Sequence, residues 1–162
     1  MQRYRSESAF LQYLIEDLAA MQGGNGYKAL RNSKCLSADV NAAFDPTFSS
    51  AYEPKNASFL NEGVVISKYT GHGGKYDTSD ASAEYMAQIR AMLEKNSIKW
   101  QIGELGKVDI GGGGTIAKYV ANMNVDVVDL GVAVLCMHAP FETVAKLDCW
   151  ETMLACKAIY LA

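Results

Sequence analysis

Long apolar runs, histidines and an excess of charge are all scarce in this 162-residue sequence. No apolar run approaches the roughly 20 residues that a helix needs to cross a bilayer, and no apolar segment of the signal-peptide type follows the first residues. The net charge of −3 gives no basic surface for nucleic acid. With 49% hydrophobic and 20% charged residues, the composition is that of one globular domain rather than a disordered or collagen-like chain.

Cysteine pairs of the C-x-x-C type are also missing. The four cysteines stand at positions 35, 136, 149 and 156. Their spacing excludes a zinc knuckle and a thioredoxin-type redox site. We therefore expect reduced thiols in a cytoplasmic protein.

Hydrophobic periodicity predicts helices that alternate with short strands. Helices are expected at 6–20, from a cap at Ser79 or Asp80 to Asn96, from Thr115 onward, and near the C terminus with a buried face of Leu147, Trp150, Leu154, Ala158 and Leu161. Strands are expected at 35–40, 63–67, 99–103 and 126–137, and residues 41–61 and 70–77 are predicted to form a surface excursion and a glycine-bearing turn. This alternation predicts an α/β fold, with a layered and mostly parallel sheet.

Glycine is abundant: 14 residues, against three prolines, and four of them are consecutive at 111–114. Between a strand and a helix, such a run lets the backbone approach a ligand closely, and it places N–H groups where a helix N-terminus favours an anion. A nucleotide phosphate loop is excluded because no lysine precedes Thr115. Two interpretations remain open, which are close ligand approach at this loop and a simple flexible connector.

Two side chains stand at the ends of predicted strands: Asp39 lies near the end of the first strand, and His138 directly follows the strand 126–137. If both strands are parallel, their carboxyl ends lie at one edge of the sheet, where α/β proteins bind ligands. A carboxylate and an imidazole suit a metal, although zinc normally takes three or four protein ligands and a lone histidine is often structural. The remaining candidates, His72, Asp109 and Asp129, have no supporting pattern. A serine hydrolase is unsupported because no G-x-S-x-G elbow occurs.

Three segments together resemble one family, the aspartyl aminopeptidase and vacuolar aminopeptidase I family of zinc metallopeptidases, in its bacterial branch. Its SAD motif is matched by Ser37-Ala38-Asp39-Val40. Its GKVD and glycine-run segment is matched by Gly106-Lys107-Val108-Asp109 and residues 111–117. Its MHSPFE signature is matched by Met137-His138-Ala139-Pro140-Phe141-Glu142. The resemblance runs in order along nearly the whole chain.

The resemblance implies a fold, a chemistry and a set of site residues. The fold would be the C-terminal half of a zinc-exopeptidase catalytic domain, with a layered sheet and helices on both faces. Asp39 and His138 would be metal ligands of a dinuclear zinc site, and Gly112, Gly113, Gly114 and Thr115 would lie beside the peptide substrate. The metals would activate a water for attack on the scissile carbonyl, and a glutamate would accept its proton. Members of the family are cytosolic or vacuolar and form homo-oligomers, usually dodecamers.

Family members are longer than this chain, which lacks their H-x-D strand, bridging aspartate, Glu-Glu pair and dimerisation domain. We therefore expect residues 1–162 to be a single partial catalytic domain with two metal ligands and no catalytic residue of its own. Three interpretations stay open. The chain contributes to a zinc aminopeptidase together with the missing N-terminal half, acts as an inactive assembly or regulatory chain, or is a truncated gene product.

Overall fold

The computed structural model describes residues 8–73, 76–107 and 109–162. In chain order the helices are α1 (Phe10–Met21), α2 (Gly26–Arg31), α3 (Ala83–Lys95), α4 (Ala117–Ala121) and α5 (Lys146–Tyr160), with a 3₁₀ helix at Pro46–Ala51. The strands are β1 (Lys34–Ser37), β2 (Asn41–Ala42), β3 (Val64–Ser67), β4 (Tyr69–His72), β5 (Ser79–Asp80), β6 (Trp100–Ile102), β7 (Gly112–Gly113), β8 (Asp126–Gly131), β9 (Ala133–Leu135) and β10 (Thr143–Val144).

The main sheet has four strands in the order β1-β8-β3-β6. Two pairs, β1 with β8 and β3 with β6, are parallel, whereas β3 and β8 are antiparallel. The prediction of a mostly parallel sheet is therefore wrong for the central pair. Two smaller sheets of three strands each have the orders β10-β9-β2 and β5-β4-β7. The apolar run 126–137 supplies two strands rather than one, because β8 ends at Gly131 and β9 joins a different sheet.

Helices cover both faces of the main sheet, as predicted. Successive residues of a strand point to opposite faces, and Val127 and Val128 of β8 accordingly belong to different hydrophobic clusters. Val128 packs with residues of α3 and α5, including the buried Leu93 and Ala155. Val127 packs on the other face with Leu30 of α2 and residues of α1 and α4. The layered α/β architecture is thus confirmed.

Several predicted boundaries are corrected. Helix α1 begins at Phe10, and positions 6 and 7 of the predicted helix lie outside the described residues. Ser79 and Asp80 form β5 instead of a cap; Ser82 caps α3, its hydroxyl accepting the Tyr85 N–H at 3.2 Å. Part of the predicted 70–77 turn is strand β4. No described helix is long and apolar enough to span a membrane.

The buried face of α5 differs from the predicted one. Leu147, Trp150 and Leu161 are exposed, whereas Leu154 and Ala158 pack against the core as expected. The reason is Asp148, which is fully buried and accepts hydrogen bonds from the Asn61 and Gly63 N–H groups, each at 2.8 Å. A carboxylate held in this way keeps one face of the helix buried, although the apolar periodicity assigns that face to the solvent.

Candidate functional site

An open cavity of about 380 Å³ brings the residues predicted from the sequence together. Asp39 and His138 both line it, although 98 residues separate them in the chain and they follow different strands. Gly112, Gly113, Gly114 and Thr115 line it as well. The two strands belong to different sheets, so the predicted shared sheet edge is not what brings the two residues to this cavity.

Asp39 is positioned by tight contact between its backbone and the end of β8. A Cβ placed on Gly131 would lie 1.5 Å from the Asp39 carbonyl oxygen, so only glycine permits this approach. Two residues further on, the Asn41 N–H donates to the Val132 carbonyl at 2.8 Å. The Asp39 carboxylate accepts the Val40 N–H at 2.8 Å and is exposed at the cavity.

A buried polar cluster fixes the segment that follows Asp39. The Asn41 side chain donates to Ser67 Oγ at 2.8 Å and accepts from Ser58 Oγ at 2.9 Å. Ser67 Oγ in turn donates to the Gly103 carbonyl at 2.7 Å. Buried polar groups with partners on both sides hold a single arrangement, and this cluster joins β2, β3 and the end of β6 beneath the cavity.

His138 stands in a tight turn between β9 and β10. Cys136 and His138 have positive φ angles of 58° and 68°, a region that non-glycine residues seldom adopt. The Ala139 N–H donates to the Cys136 carbonyl at 2.9 Å, and the His138 N–H donates to Glu142 Oε1 at 2.6 Å. The Glu142 carboxylate thus fixes the backbone at His138, which is itself exposed. Backbone in such a region often accompanies function.

The tetraglycine segment forms a strand. Gly112 and Gly113 make up β7, which pairs with β4, and the Gly73 N–H donates to the Gly111 carbonyl at 3.0 Å. Helix α4 begins at Ala117 instead of Thr115 and has only five residues, so the predicted anion site at a helix N-terminus is wrong. The pairing of Gly112 and Gly113 with β4 argues against a simple flexible connector. A Cβ on Gly114 would meet nothing within 4 Å, so this side of the loop is open.

Asp129, which had no supporting pattern in the sequence, links two walls of the site. Its carboxylate accepts from Ser37 Oγ at 2.5 Å and is also hydrogen-bonded to the Thr115 side chain. Burial raises the pKa of Asp129, the negative charge of Asp39 raises it further, and the two hydroxyl hydrogen bonds oppose the shift. A charged residue inside the apolar β8 sequence is the signal that identifies it, because buried carboxylates need partners.

Residues 41–61, predicted as a surface excursion, form another wall of the cavity. They contain β2, the 3₁₀ helix and buried residues such as Ala43 and Ser58. Ala51 and Tyr52 line the cavity, and the Ala51 carbonyl accepts the Lys107 N–H at 2.9 Å. The Tyr52 ring packs on Phe44 with centroids 5.4 Å apart. The polar composition of this segment concealed these packing contacts.

The donor atoms present suit part of a zinc site. A carboxylate oxygen from Asp39 and an imidazole nitrogen from His138 are ordinary zinc ligands, and both residues are exposed at one cavity. Across residues 8–73, 76–107 and 109–162, no group of three or more potential metal-binding side chains occurs. Asp109 is exposed, while the side chain of His72 and all of Val108 lie outside the described part of the chain.

The sequence and the fold of this chain are similar to those of known proteins. The family model of the aminopeptidase I zinc metalloproteases (M18) matches residues 3–160. A probable M18 family aminopeptidase 1 of Borreliella burgdorferi is 46% identical over 160 residues, which are 95% of this chain and 35% of the relative. A crystal structure of an M18 aminopeptidase from Thermotoga maritima superposes with a TM-score of 0.89 at 40% identity, covering 95% of this chain and 35% of that one.

A crystal structure of aminopeptidase I from Clostridium acetobutylicum gives a TM-score of 0.84 at 46% identity, covering 93% of this chain and 33% of that one. The chain therefore spans about a third of the length of the relatives that it matches. Because the family model covers nearly every residue, and the folds agree, the chain belongs to the aminopeptidase I zinc metalloprotease (M18) family.

Proposed function

We propose that this chain contributes two metal ligands and a peptide-binding loop to a zinc-dependent aminopeptidase, which removes N-terminal residues from peptides. The observation that carries the proposal is the single cavity lined by Asp39, His138 and the tetraglycine segment. In this proposal the complete enzyme has a dinuclear zinc site and a general-base glutamate, as the family resemblance implies. The remaining metal ligands and that glutamate would come from the part of an M18 chain that these 162 residues do not contain.

Each wall of the cavity has a chemical role in this proposal. Asp39 offers a carboxylate oxygen and His138 an imidazole nitrogen to zinc, which when bound polarises a carbonyl and lowers the pKa of a coordinated water. In the three-stranded sheet β7 is an outer strand, and its glycines carry no side chain. An extended peptide can therefore lie close to the backbone of Gly112 and Gly113.

The metal ligands are tested by titrating the purified chain with Co²⁺, whose visible absorption reports coordination in place of Zn²⁺. We expect weak binding, because two protein donors leave the ion largely hydrated. His138→Ala and Asp39→Asn should each weaken it by roughly fivefold or more. Asp17→Asn, which changes an exposed carboxylate on α1 outside the cavity, is the matched control. Equal binding by all four proteins would contradict the assignment.

The chain alone should show no zinc-dependent hydrolysis of aminoacyl anilides, because the described residues supply only two donors at the cavity. A chimera that carries these 162 residues in place of the matching segment of the Clostridium relative should hydrolyse them. Within it, His138→Ala should abolish turnover. Glu94→Gln, which changes an exposed carboxylate on α3 outside the cavity, should leave turnover intact. Turnover by the chain alone that is lost in His138→Ala would show that no other chain is needed.

A second candidate function is assembly or regulation without catalysis. It is favoured by the exposed apolar side chains of α1, which suit contact with another protein. Under either proposed function, residues 1–162 are one partial catalytic domain by fold, and the protein is cytoplasmic. The domain works either in a homo-oligomer or beside a longer chain. Copurification of the chain with an intact M18 enzyme, together with a change in that enzyme's oligomeric state, would support the second candidate.

A further inference from the structure

The loop between β9 and β10 places His138 at the cavity, and this loop is long for a hairpin. The pairing of the two strands includes Leu135 and Thr143, so residues 136–142 lie between the paired positions. Hairpin connections of about two to five residues are the common ones, and their turn type fixes their shape. A longer loop has no standard shape, so contacts within it must hold His138 in place.

The backbone of this loop adopts a conformation that its residues do not favour by themselves. The φ angle is 58° at Cys136 and 68° at His138, and a side chain makes this left-handed region unfavourable. A backbone hydrogen bond, from the Ala139 N–H to the Cys136 carbonyl at 2.9 Å, closes the turn. A turn with two such residues persists only when the surrounding structure holds it, so a further interaction at His138 is needed.

The Glu142 side chain supplies this interaction. Its Oε1 accepts the His138 N–H at 2.6 Å. Glu142 directly precedes Thr143, which pairs with Leu135, so the hydrogen bond ties His138 to the base of the hairpin. A hydrogen bond to an ionised carboxylate is shorter and roughly twice as strong as one between neutral groups. Without this carboxylate, the turn would depend on the weaker backbone hydrogen bond of Ala139.

The Glu142 carboxylate has no competing partner in the described part of the chain. The residue is exposed, and the ion pairs of the described residues do not include it. It is also not among the described residues that line the cavity, whereas His138 is. Within 8–73, 76–107 and 109–162 it belongs to no group of three potential metal ligands. Glu142 therefore acts on the site through His138 and not by contact with a metal or a peptide.

We propose that Glu142 is a positioning residue for the metal ligand His138, and that its carboxylate holds the turn in place before a metal binds. A ligand whose backbone is already fixed loses less conformational freedom on binding, so the affinity for the metal is higher. Carboxylates that orient metal-bound histidines usually accept the free imidazole N–H. Here the carboxylate accepts the backbone N–H instead. The effect on metal affinity rests on the proposed function, whereas the hold on the turn does not.

Amide hydrogen exchange of the metal-free chain tests the hold on the turn. In Glu142→Ala the His138 amide should exchange at least about tenfold faster than in the parent chain. Glu142→Gln retains an acceptor oxygen and should show a smaller increase. Glu94→Ala, which removes an exposed carboxylate of α3 outside the cavity, should leave the His138 rate unchanged. An unchanged rate in Glu142→Ala, with the β8 amides as protected as in the parent chain, would overturn the proposal.

Co²⁺ titration of the same proteins tests the effect on the metal ligand. Glu142→Ala should weaken cobalt binding by roughly threefold or more, although by less than His138→Ala does, and Glu142→Gln should weaken it less than Glu142→Ala. Glu94→Ala should bind cobalt as the parent chain does. A loss in Glu142→Gln as large as that in His138→Ala would make Glu142 a metal ligand itself and would contradict the positioning role.

The cobalt titration also separates a failure of this inference from a failure of the proposed function. If the affinity for cobalt falls in His138→Ala but not in Glu142→Ala, then His138 binds the metal without help from Glu142, and this inference alone is overturned. If the affinity is unchanged in His138→Ala, the proposed metal site is wrong, and the role of Glu142 at that site is overturned with it.

Discussion

Gly131 lies directly against the backbone of Asp39, and a Cβ on this glycine would be 1.5 Å from the Asp39 carbonyl oxygen. Gly131→Ala must therefore displace Asp39 or the end of β8. We expect a destabilisation of about 2–4 kcal/mol, from overpacking in a buried strand, and a loss of Co²⁺ binding at the cavity. Urea unfolding and cobalt titration of the same variant measure both effects.

Gly114→Ala is the matched control for this substitution. A methyl group at Gly114 meets nothing within 4 Å. The free energy of unfolding and the affinity for cobalt should therefore stay close to those of the parent chain. If Gly131→Ala binds cobalt as tightly as Gly114→Ala does, then Asp39 does not depend on this contact or does not bind the metal.

Asp129 joins the segment before Asp39 to the end of the glycine loop through Ser37 and Thr115. Asp129→Ala should lower the free energy of unfolding by about 1–3 kcal/mol, because it leaves the buried Ser37 hydroxyl without its acceptor. It should also speed hydrogen exchange at residues 112–115 relative to β6. Asp129→Asn retains one acceptor oxygen and should show a smaller change in both measurements. Loss of stability without faster exchange in the loop would mean that Asp129 supports the core and does not position the site.

The sequence predicted the layered α/β fold and the convergence of Asp39 and His138, because strand ends and motif order are local features. It did not predict the antiparallel pairing of β3 with β8 or the structure of 41–61. Both depend on contacts between distant segments, such as Asn41 with Ser67. Asp129 was missed for the same reason, since its partners come from positions 37 and 115.

Asp148 connects the start of α5 to the loop before β3. Its carboxylate is fully buried and accepts two backbone N–H groups, from Asn61 and Gly63. Asp148→Ala should lower the free energy of unfolding by about 3 kcal/mol, since both donors lose a charged acceptor. Asp148→Asn retains one acceptor oxygen and should lower the free energy of unfolding by less. Asp17→Asn changes an exposed residue of α1 and should leave that free energy almost unchanged. Urea unfolding of the four proteins checks this order, and a small loss in Asp148→Ala would contradict it.

The buried phenol of Tyr85 makes the free energy of unfolding depend on pH in the alkaline range. Burial raises its pKa to about 12, from an ordinary value of 10.0, with smaller contributions from Cys35 and Asp126. Between these two values the unfolded chain loses the proton more readily than the folded chain. The stability associated with Tyr85 is therefore complete below the lower value and decreases as the pH rises toward the higher one.

Tyr85→Phe isolates this effect from the titration of lysines. It removes the hydrogen bond to the Cys35 carbonyl, so it should be less stable than the parent chain at neutral pH. The difference between the two proteins should shrink by about 1 kcal/mol between about pH 9 and about pH 11, because only the parent chain has this phenol to ionise on unfolding. Urea unfolding of both proteins across that range measures it. A constant difference would show that the phenol titrates alike in the folded and unfolded chains, and hence that it is more accessible to water than its 3% exposure implies.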